Sequence, residues 1–167
     1  SLFLAFGGIP LKNGQISQGG VGSHIQKAYL KKAALNGVNF INVSPLKSDL
    51  EGVGNIEWLP LKPNTDVALM LALCYELNKA GMINNDFIYR YTVGFKKFLS
   101  YLNGSSDGII KSADWASKII GINKTVILKL VDKIKNSERT MISVSWSLTR
   151  QSHGEQPFWA AIALASI

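Results

Sequence analysis

The beginning of the chain has the pattern of a strand, a turn, a helix and a second strand. A continuous apolar run, Leu2–Phe6, ends at Gly7-Gly8, which is typical of a strand buried on both faces of a parallel sheet. Residues 23–35 suit a helix that stops at an Asn-Gly pair, and residues 38–43 suit a second strand that ends at Ser44-Pro45. A strand, a helix and a strand in this order predict a βαβ unit and therefore a parallel sheet.

A glycine-rich turn between the first strand and the first helix is predicted to end at Gly19-Gly20-Val21-Gly22. After the second strand, the rest of the chain continues this alternation of strands and helices. Asn64 is a good N-cap for a long helix whose apolar residues recur at helical spacing. Other strands are predicted over residues 56–61 and 140–145, and other helices over 84–91, 94–102, 113–120, 124–135 and 158–167. The pattern predicts one α/β domain that spans residues 1–167.

The composition indicates a globular protein with an anionic partner. Hydrophobic residues make up 47% of the 167 residues and charged residues 17%, which excludes a disordered chain. Lysine and arginine number 18 against 11 acidic residues, and the resulting charge of +7 favours nucleic acid, a membrane surface or a phosphate-bearing ligand. A single cysteine excludes an internal disulfide framework. No apolar run reaches the roughly 18 residues of a transmembrane helix.

Both ends of the chain lie in apolar segments. The first strand begins at Leu2, and the closing helix runs to Ile167. Natural termini are usually polar and frayed. We therefore expect the chain to be a piece of a larger protein.

The loops that follow the predicted strands carry the residues of a nucleotide site. Ligands of open α/β sheets bind outside the carboxyl ends of the strands. There the chain offers glycines, hydroxyls, amides, Lys12 for phosphates and Asp66, whose carboxylate suits the donor edge of guanine. Ordinary turn chemistry explains any one of these loops equally well. Neither a P-loop signature nor a Gly-x-Gly-x-x-Gly fingerprint opens the first helix, which disfavours a P-loop NTPase and an ordinary nicotinamide dehydrogenase.

Several residues that could carry chemistry have simpler structural explanations. Cys74 falls on the apolar face of its helix, so a core position is expected rather than a nucleophile. His24 is expected at the surface or at a helix cap, and Asp66 could simply complement the helix dipole. Trp58 and Trp115 are expected to pack. The lysines of the helix over residues 124–135 are expected to form a solvated face, namely Lys124, Lys129, Lys133 and Lys135.

An ordered series of motifs resembles the molybdenum oxidoreductases of the dimethyl sulfoxide reductase family. The resemblance is greatest for the branch of biotin sulfoxide and trimethylamine N-oxide reductases, and it covers essentially the whole chain. The motifs are residues 7–13 (Gly-Gly-Ile-Pro-Leu-Lys-Asn), residues 58–73 around Pro63-Asn64-Thr65-Asp66, residues 91–95, Asp107-Gly108, Trp115-Ala116, residues 139–142 and residues 146–157. The last of them, which begins Trp-Ser-Leu-Thr-Arg-Gln-Ser-His-Gly, is the most specific.

The resemblance implies a Rossmann-like dinucleotide-binding domain with a parallel sheet and helices on both faces. In such enzymes two molybdopterin guanine dinucleotides hold one molybdenum, a bis(molybdopterin guanine dinucleotide) cofactor that transfers oxygen atoms and two electrons. This chain is expected to bind one of the two dinucleotides. The residues implied as cofactor-binding are Lys12, Asn13, Val43, Ser44, Asn64, Thr65, Asp66, Trp146, Ser147 and Arg150.

Within this set, the resemblance gives individual roles to several residues. Asp66 is expected to accept hydrogen bonds from guanine. Trp146 and Arg150 are expected at the mouth of the active site and, being four residues apart, would share a face of a helical turn. No residue here matches the family's molybdenum-ligating serine, so no metal ligand is expected. The chain alone is therefore expected to be inactive.

The expected partners follow from the same resemblance. They are the remaining domains of a parent enzyme and a small S-oxide or N-oxide, in a periplasmic or cytoplasmic bacterial protein, with no nucleic acid and no membrane span. Two other interpretations stay open at this point. One is a basic α/β module that binds nucleic acid, although its 18 basic residues are dispersed along the chain. The other is a purely structural domain that packs against its parent.

Overall fold

The computed structural model describes residues 1–15 and 23–167. These residues form a four-stranded sheet and seven α-helices, which confirms the predicted α/β class. The strands are β1 (Leu2–Phe6), β2 (Asn39–Val43), β3 (Ile56–Leu59) and β4 (Thr140–Val144). The glycine-rich turn predicted at Gly19-Gly20-Val21-Gly22 lies outside the described residues.

The sheet has the strand order β3-β2-β1-β4, and every neighbouring pair is parallel. In register, Leu4 of β1 lies between Ile41 of β2 and Ile142 of β4. Leu4, Ala5 and Phe6 are fully buried. The continuous apolar run of β1 is therefore explained by its central position, since a central strand of a parallel sheet has no face toward water.

The helices begin and end close to the predicted residues. They are α1 (Gln26–Leu35), α2 (Asp66–Lys79), α3 (Asn85–Tyr91), α4 (Phe95–Leu102), α5 (Ala113–Ile120), α6 (Lys124–Lys135) and α7 (Gln156–Ala165). Two short 3₁₀ turns lie at Leu11–Gln15 and Trp146–Thr149. Helix α1 begins three residues later than expected, and α7 begins two residues earlier because Pro157 suits the first turn of a helix.

The prediction that Asn64 caps α2 is wrong. The N-cap is Thr65, and its side chain does not cap the helix, since its hydroxyl donates to the carbonyl of Lys62 (2.6 Å). Asn64 has a φ of 64°, in the left-handed region, which asparagine tolerates better than most residues. Asn64 therefore forms the turn that precedes the cap, and sequence preference at this position does not distinguish the two roles.

The described residues form two compact units. The first unit contains Ser1–Pro60 and Ser137–Ser147, and thus the whole sheet and α1. Its core includes Ala5, Phe40, Leu50 and Val53, and the ring of Phe3 stacks on that of Phe40 with the centroids 5.1 Å apart.

The second unit contains Leu61–Asn136 and Leu148–Ile167, and it is helical. Helix α2 is buried along most of its length, which is the behaviour of a helix that is apolar on all sides. Its buried residues include Leu69, Met70 and Leu73. In the described part of the chain, no helix has the length and hydropathy needed to cross a membrane.

Candidate functional site

The topology of the sheet has one point where the chain changes direction. From β1 the chain proceeds to β2 and β3 on one side, whereas β4 lies on the other side of β1. Such a reversal opens a crevice at the carboxyl ends of the two central strands, which is where ligands bind in open α/β sheets. The carboxyl ends of β1 and β4 are therefore the expected position of a ligand site.

A cavity of about 890 Å³ lies at this point. Its lining comes from β1 and the residues that follow it, from β4 and the residues that follow it, and from the beginning of α1. The lining residues are Phe3, Gly8, Ile9, Pro10, Asn13, Ser23, Ile25, Gln26, Leu30, Ser143, Val144, Ser145 and Trp146. All of them belong to the first unit.

The cavity combines apolar walls with a few polar groups. Phe3, Ile9 and Trp146 offer surfaces against which a planar ring could pack, and Asn13 and Ser145 offer hydrogen-bonding groups. The beginning of α1 also faces the cavity, and its N-cap residue, Ile25, has no side-chain group that could cap the helix. Backbone N–H groups at a helix start favour an anion. This mixture is typical of a site for a small molecule that has a ring system and a charged group.

Two glycines follow β1, and the second of them, Gly8, lines the cavity. Gly7 and Gly8 have φ values of 75° and 72°, which side chains rarely adopt. The N–H of Gly7 donates to the carbonyl of Val43 (2.9 Å), which ties the end of β1 to the end of β2. At Gly8, a Cβ atom would lie 2.0 Å from Oδ2 of Asp49. Glycine is therefore required at position 8 by both conformation and space.

A buried polar cluster lies at the end of β2. The hydroxyl of Ser44 donates to Oδ2 of Asp49 (2.9 Å) and accepts from the N–H of Leu46 (3.1 Å). The indole N–H of Trp58 donates to the carbonyl of Ser44 (2.8 Å), so this tryptophan has a hydrogen-bonding role beside its expected packing role. The side chain of Asn42 donates to the carbonyl of Leu46 (2.9 Å), and its Oδ1 is buried without a partner among the described residues.

The sequence-predicted residues of the first unit fall into two groups. Lys12 and Asn13 are exposed in the 3₁₀ turn that follows β1, and Asn13 lines the cavity together with Trp146. Val43 and Ser44 are buried at the end of the neighbouring strand, and neither lines the cavity. The hydroxyl and the carbonyl of Ser44 are thus engaged within the protein.

The loop after β4 forms a 3₁₀ turn and not the α-helical turn on which Trp146 and Arg150 would share a face. Trp146 is 69% exposed, and the hydroxyls of Ser145 and Ser147 lie 3.0 Å apart. The turn is 3₁₀ and ends at Thr149, so Arg150 lies beyond it. The expectation that Trp146 and Arg150 share a face of one helical turn is therefore wrong, because a 3₁₀ turn repeats every three residues rather than every 3.6.

The remaining predicted residues lie in the second unit. Asn64 and Arg150 are exposed, Thr65 is half-buried, and Asp66 is only 3% exposed at the start of α2. Burial raises the pKa of Asp66 to about 6, and a hydrogen bond from its own backbone N–H partly offsets this rise. No lysine, arginine or histidine in the described part of the chain forms an ion pair with it. A buried carboxylate of this kind is poised to accept hydrogen bonds from a ligand.

The raised pKa of Asp66 predicts a dependence of stability on pH. An ordinary aspartate titrates at about 4, so between about pH 4 and pH 6 the folded chain keeps a proton that the unfolded chain has lost. Stability should therefore fall as the pH rises through this window, by about 3 kcal/mol. Urea denaturation of the wild type and of Asp66→Asn from pH 4 to pH 7 should show the variant gaining this amount relative to the wild type.

A matched control separates this effect from general charge repulsion. Asp86 also lies in the first turn of a helix, but it is exposed and pairs with Arg90 (2.9 Å). The difference in stability between Asp86→Asn and the wild type should show no such rise across the same pH range. A constant difference for Asp66→Asn as well would contradict the burial of a proton-binding carboxylate.

Sequence reasoning missed Asp49 and Asn42. Asp49 follows Ser44 by five residues within an irregular turn, and no regular spacing connects the two. Only the folded structure shows that the carboxylate of Asp49 packs against Gly8, which lies more than forty residues away in the chain. A buried polar residue in an apolar strand, such as Asn42 in β2, was the one local signal available.

The structural explanations of other residues are confirmed. Cys74 is fully buried, and burial raises the pKa of its thiol to about 12, so it is not a nucleophile. His24 is exposed just before α1. The four lysines of α6 are also exposed, as expected of a solvated face. In the residues that the structure describes, no group of three histidine, cysteine or acidic side chains is arranged to hold a metal ion.

Relatives of known function resemble this chain over nearly its whole length. Biotin sulfoxide reductase of Cereibacter sphaeroides is 44% identical over 164 residues, which are 98% of this chain and 22% of that protein. Trimethylamine-N-oxide reductase of Haemophilus influenzae is 40% identical over 83% of this chain and 17% of its own length. Dimethyl sulfoxide/trimethylamine N-oxide reductase of Rhodobacter capsulatus is 35% identical over 95% of this chain and 19% of its own length. This chain thus spans about a fifth of these relatives.

A solved structure has the same fold. Acetylene hydratase from Pelobacter acetylenicus superposes with a TM-score of 0.77 at 22% identity, over 99% of this chain and 21% of that one. The family model described as Molybdopterin oxidoreductase matches residues 1–167. The chain belongs to the molybdopterin oxidoreductase family.

Proposed function

We propose that residues 1–167 act as one Rossmann-like domain that binds a molybdopterin guanine dinucleotide in an enzyme that reduces S-oxides or N-oxides. The observation that carries the proposal is the cavity at the reversal of the sheet, which two of the residues implied as cofactor-binding, Asn13 and Trp146, line together. The relatives are reductases of biotin sulfoxide, trimethylamine N-oxide and dimethyl sulfoxide.

The residues around the cavity fit such a cofactor. Its volume of about 890 Å³ suits a part of a dinucleotide rather than a small ion. The uncapped start of α1 supplies backbone N–H groups for a phosphate, and Lys12 adds a positive charge close to Asn13. Trp146 and Ile9 offer apolar surfaces for a ring. The net charge of +7 supports an anionic ligand of this kind.

For the second unit, we propose that Asp66 reads guanine. Guanine presents two neighbouring N–H donors, N1–H and the exocyclic amine, and a carboxylate accepts both. Adenine presents no such pair. The burial that raises the pKa of Asp66 makes the ionised carboxylate costly without a partner, so a ligand that donates two hydrogen bonds would hold it in its charged form. Thr65 and Asn64 form the turn that positions the start of α2.

The other proposed residues serve the cofactor and the substrate. When bound, the molybdenum–pterin group supplies oxygen-atom transfer with two electrons. In the first unit, Trp146 is proposed to serve the oxide with its exposed aromatic surface. In the second unit, Arg150 is proposed to serve it with its exposed positive charge. Val43 and Ser44 are proposed to support the ribose and guanine end through the backbone of the loop after β2. Ser147 is proposed to contact the pterin.

Calorimetric titration with GDP and ADP at low salt tests this proposal. We expect saturable binding that favours GDP. Asp66→Ala should weaken GDP binding by about tenfold or more, because a hydrogen bond to a charged group contributes about 1.5–3 kcal/mol. ADP binding should hardly change. The matched control, Asp86→Ala, should bind GDP like the wild type, since Asp86 is an exposed acid of another helix start.

The same titration shows what would contradict the proposal. Equal affinity for GDP and ADP that Asp66→Ala leaves unchanged would mean that only phosphate is recognised. Binding of single-stranded DNA in competition with GDP, with a steep salt dependence, would favour the nucleic-acid interpretation instead. A proton release that accompanies GDP binding near pH 6, and that Asp66→Ala abolishes, would support the role of this carboxylate, because a ligand that donates to it holds it in its charged form.

A further inference from the structure

We propose that Asp49 is a positioning residue that holds the loops after β1 and β2 in the arrangement required for nucleotide binding. The proposal rests on the proposed function of the cavity and adds a residue to which the family motifs give no role. Asp49 does not line the cavity. It acts through its two neighbours, Gly8 in the lining of the cavity and Ser44 at the end of β2.

The first contact is with Ser44. Asp49 is only 6% exposed, and its Oδ2 accepts a hydrogen bond of 2.9 Å from the hydroxyl of Ser44. The same hydroxyl accepts from the N–H of Leu46 (3.1 Å). The hydroxyl hydrogen therefore points at the carboxylate, and Ser44 has no second hydrogen with which to donate to a ligand. The side chain of Ser44 thus serves the loop rather than the cavity.

The second contact is with Gly8. The carboxylate of Asp49 fills the space that a Cβ atom at position 8 would occupy, because Oδ2 would lie 2.0 Å from it and Cγ 2.7 Å from it. The next residue, Leu50, donates its N–H to the carbonyl of Ile9 (3.3 Å). Side chain and backbone of the same turn therefore press against two consecutive residues of the cavity lining, Gly8 and Ile9.

The turn that carries Asp49 is held in a disfavoured conformation. Leu50 has a φ of 64°, in the left-handed region, where a branched apolar residue is rarely found. Its side chain is fully buried in the core with Ala5 and Phe40. The carbonyl of Asp49 also accepts a weak hydrogen bond from Asn42 (3.4 Å). Contacts on several sides therefore fix the turn. A turn that is fixed in this way can hold the loop after β1 in a constant position relative to the loop after β2.

Hydrogen exchange tests the coupling of the loops without any ligand. Asp49→Ala should speed the exchange of the amides of Gly7 and Leu50 by about tenfold, since the loss of a hydrogen bond to a charged group loosens the turn by that factor. Asp49→Asn keeps the shape and an acceptor for Ser44, and it should restore slow exchange. Unchanged exchange in Asp49→Ala would overturn the proposal, as would fast exchange in Asp49→Asn equal to that in Asp49→Ala.

A double-mutant cycle with GDP tests the consequence for binding. Ser44→Ala should weaken GDP binding by about tenfold and Asp49→Ala by at least as much, and the double variant should be no weaker than Asp49→Ala alone, because both substitutions remove the same hydrogen bond. Additive losses would show that Ser44 contacts the ligand directly and would overturn the proposal. If the wild type binds no GDP, the proposed nucleotide site fails, and the exchange measurement decides the coupling by itself. Ser44→Ala, a small change, keeps the test valid if Asp49→Ala does not fold.

Discussion

Replacement of Leu73 by alanine is expected to destabilise the chain by about 2–5 kcal/mol. Leu73 lies in the middle of α2 and is fully buried, as is Leu69 one turn earlier. Helix α2 packs against α5 and α7 within the second unit, so the deleted methyl groups leave a cavity that helices on more than one side would have to close. Since a domain of this size is stable by only about 5–15 kcal/mol, the loss is a large fraction of the total.

Urea denaturation followed by circular dichroism measures this loss, and Leu35→Ala is the matched control. Leu35 ends α1 and is 88% exposed, so the same substitution there should change the free energy of unfolding by less than about 0.5 kcal/mol. Equal effects of the two substitutions would show that α2 does not lie in the core. A reduced denaturation slope in Leu73→Ala would indicate that the second unit unfolds separately.

Replacement of Gly8 by alanine is expected to destabilise the loop after β1 and to abolish GDP binding. The left-handed φ of 72° alone costs alanine about 1–2 kcal/mol. The added Cβ would also lie within 3.0 Å of three atoms of Asp49. Because Asp49 is only 6% exposed, its side chain has no free space into which it could move. We expect a total loss of about 3 kcal/mol or more, because overpacking of a buried site adds about 1–3 kcal/mol.

Gly37→Ala separates the two causes of this loss. Gly37 has a φ of 83°, but among the described residues no atom beyond its two chain neighbours lies within 4 Å of the position its Cβ would take. This control should therefore lose only the conformational part, about 1–2 kcal/mol, and should bind GDP normally. Relative to Gly8→Ala, the double variant Gly8→Ala/Asp49→Ala should regain the stability lost to overpacking but not the stability lost to the left-handed conformation. If Gly8→Ala costs no more than Gly37→Ala, the contact between Gly8 and Asp49 does not constrain the cavity.

Local sequence patterns predicted the elements of this fold well for identifiable reasons. Helices α5 and α6 begin and end at the predicted residues. Their starts agree with the local sequence because the side chains of Ser112 and Asn123 cap them. Strand β1 was predicted because a central parallel strand must be apolar on both faces. At the start of α2, by contrast, Asn64 and Thr65 are both acceptable caps, and only the folded turn distinguishes them.

The residues of the candidate site were predicted unevenly. The motifs found Asn13 and Trp146, which the fold brings to one cavity although 133 positions separate them in the chain. The spacing of Trp146 and Arg150 would place both on one face of an α-helical turn, whereas the structure has a 3₁₀ turn that ends before Arg150. Turn type depends on how the chain leaves the sheet, and the sequence window around Trp146 does not contain that information.

The sequence by itself determined the α/β class, the order of strands and helices, and the family, because apolar periodicity, capping residues and motifs are local properties of the chain. Only the tertiary structure decided the strand order β3-β2-β1-β4 and hence the position of the cavity. It also decided that Asp66 is buried and that Asp49 supports Gly8 and Ser44. The physical reason is that burial and close contact between distant residues depend on packing, which no local pattern specifies.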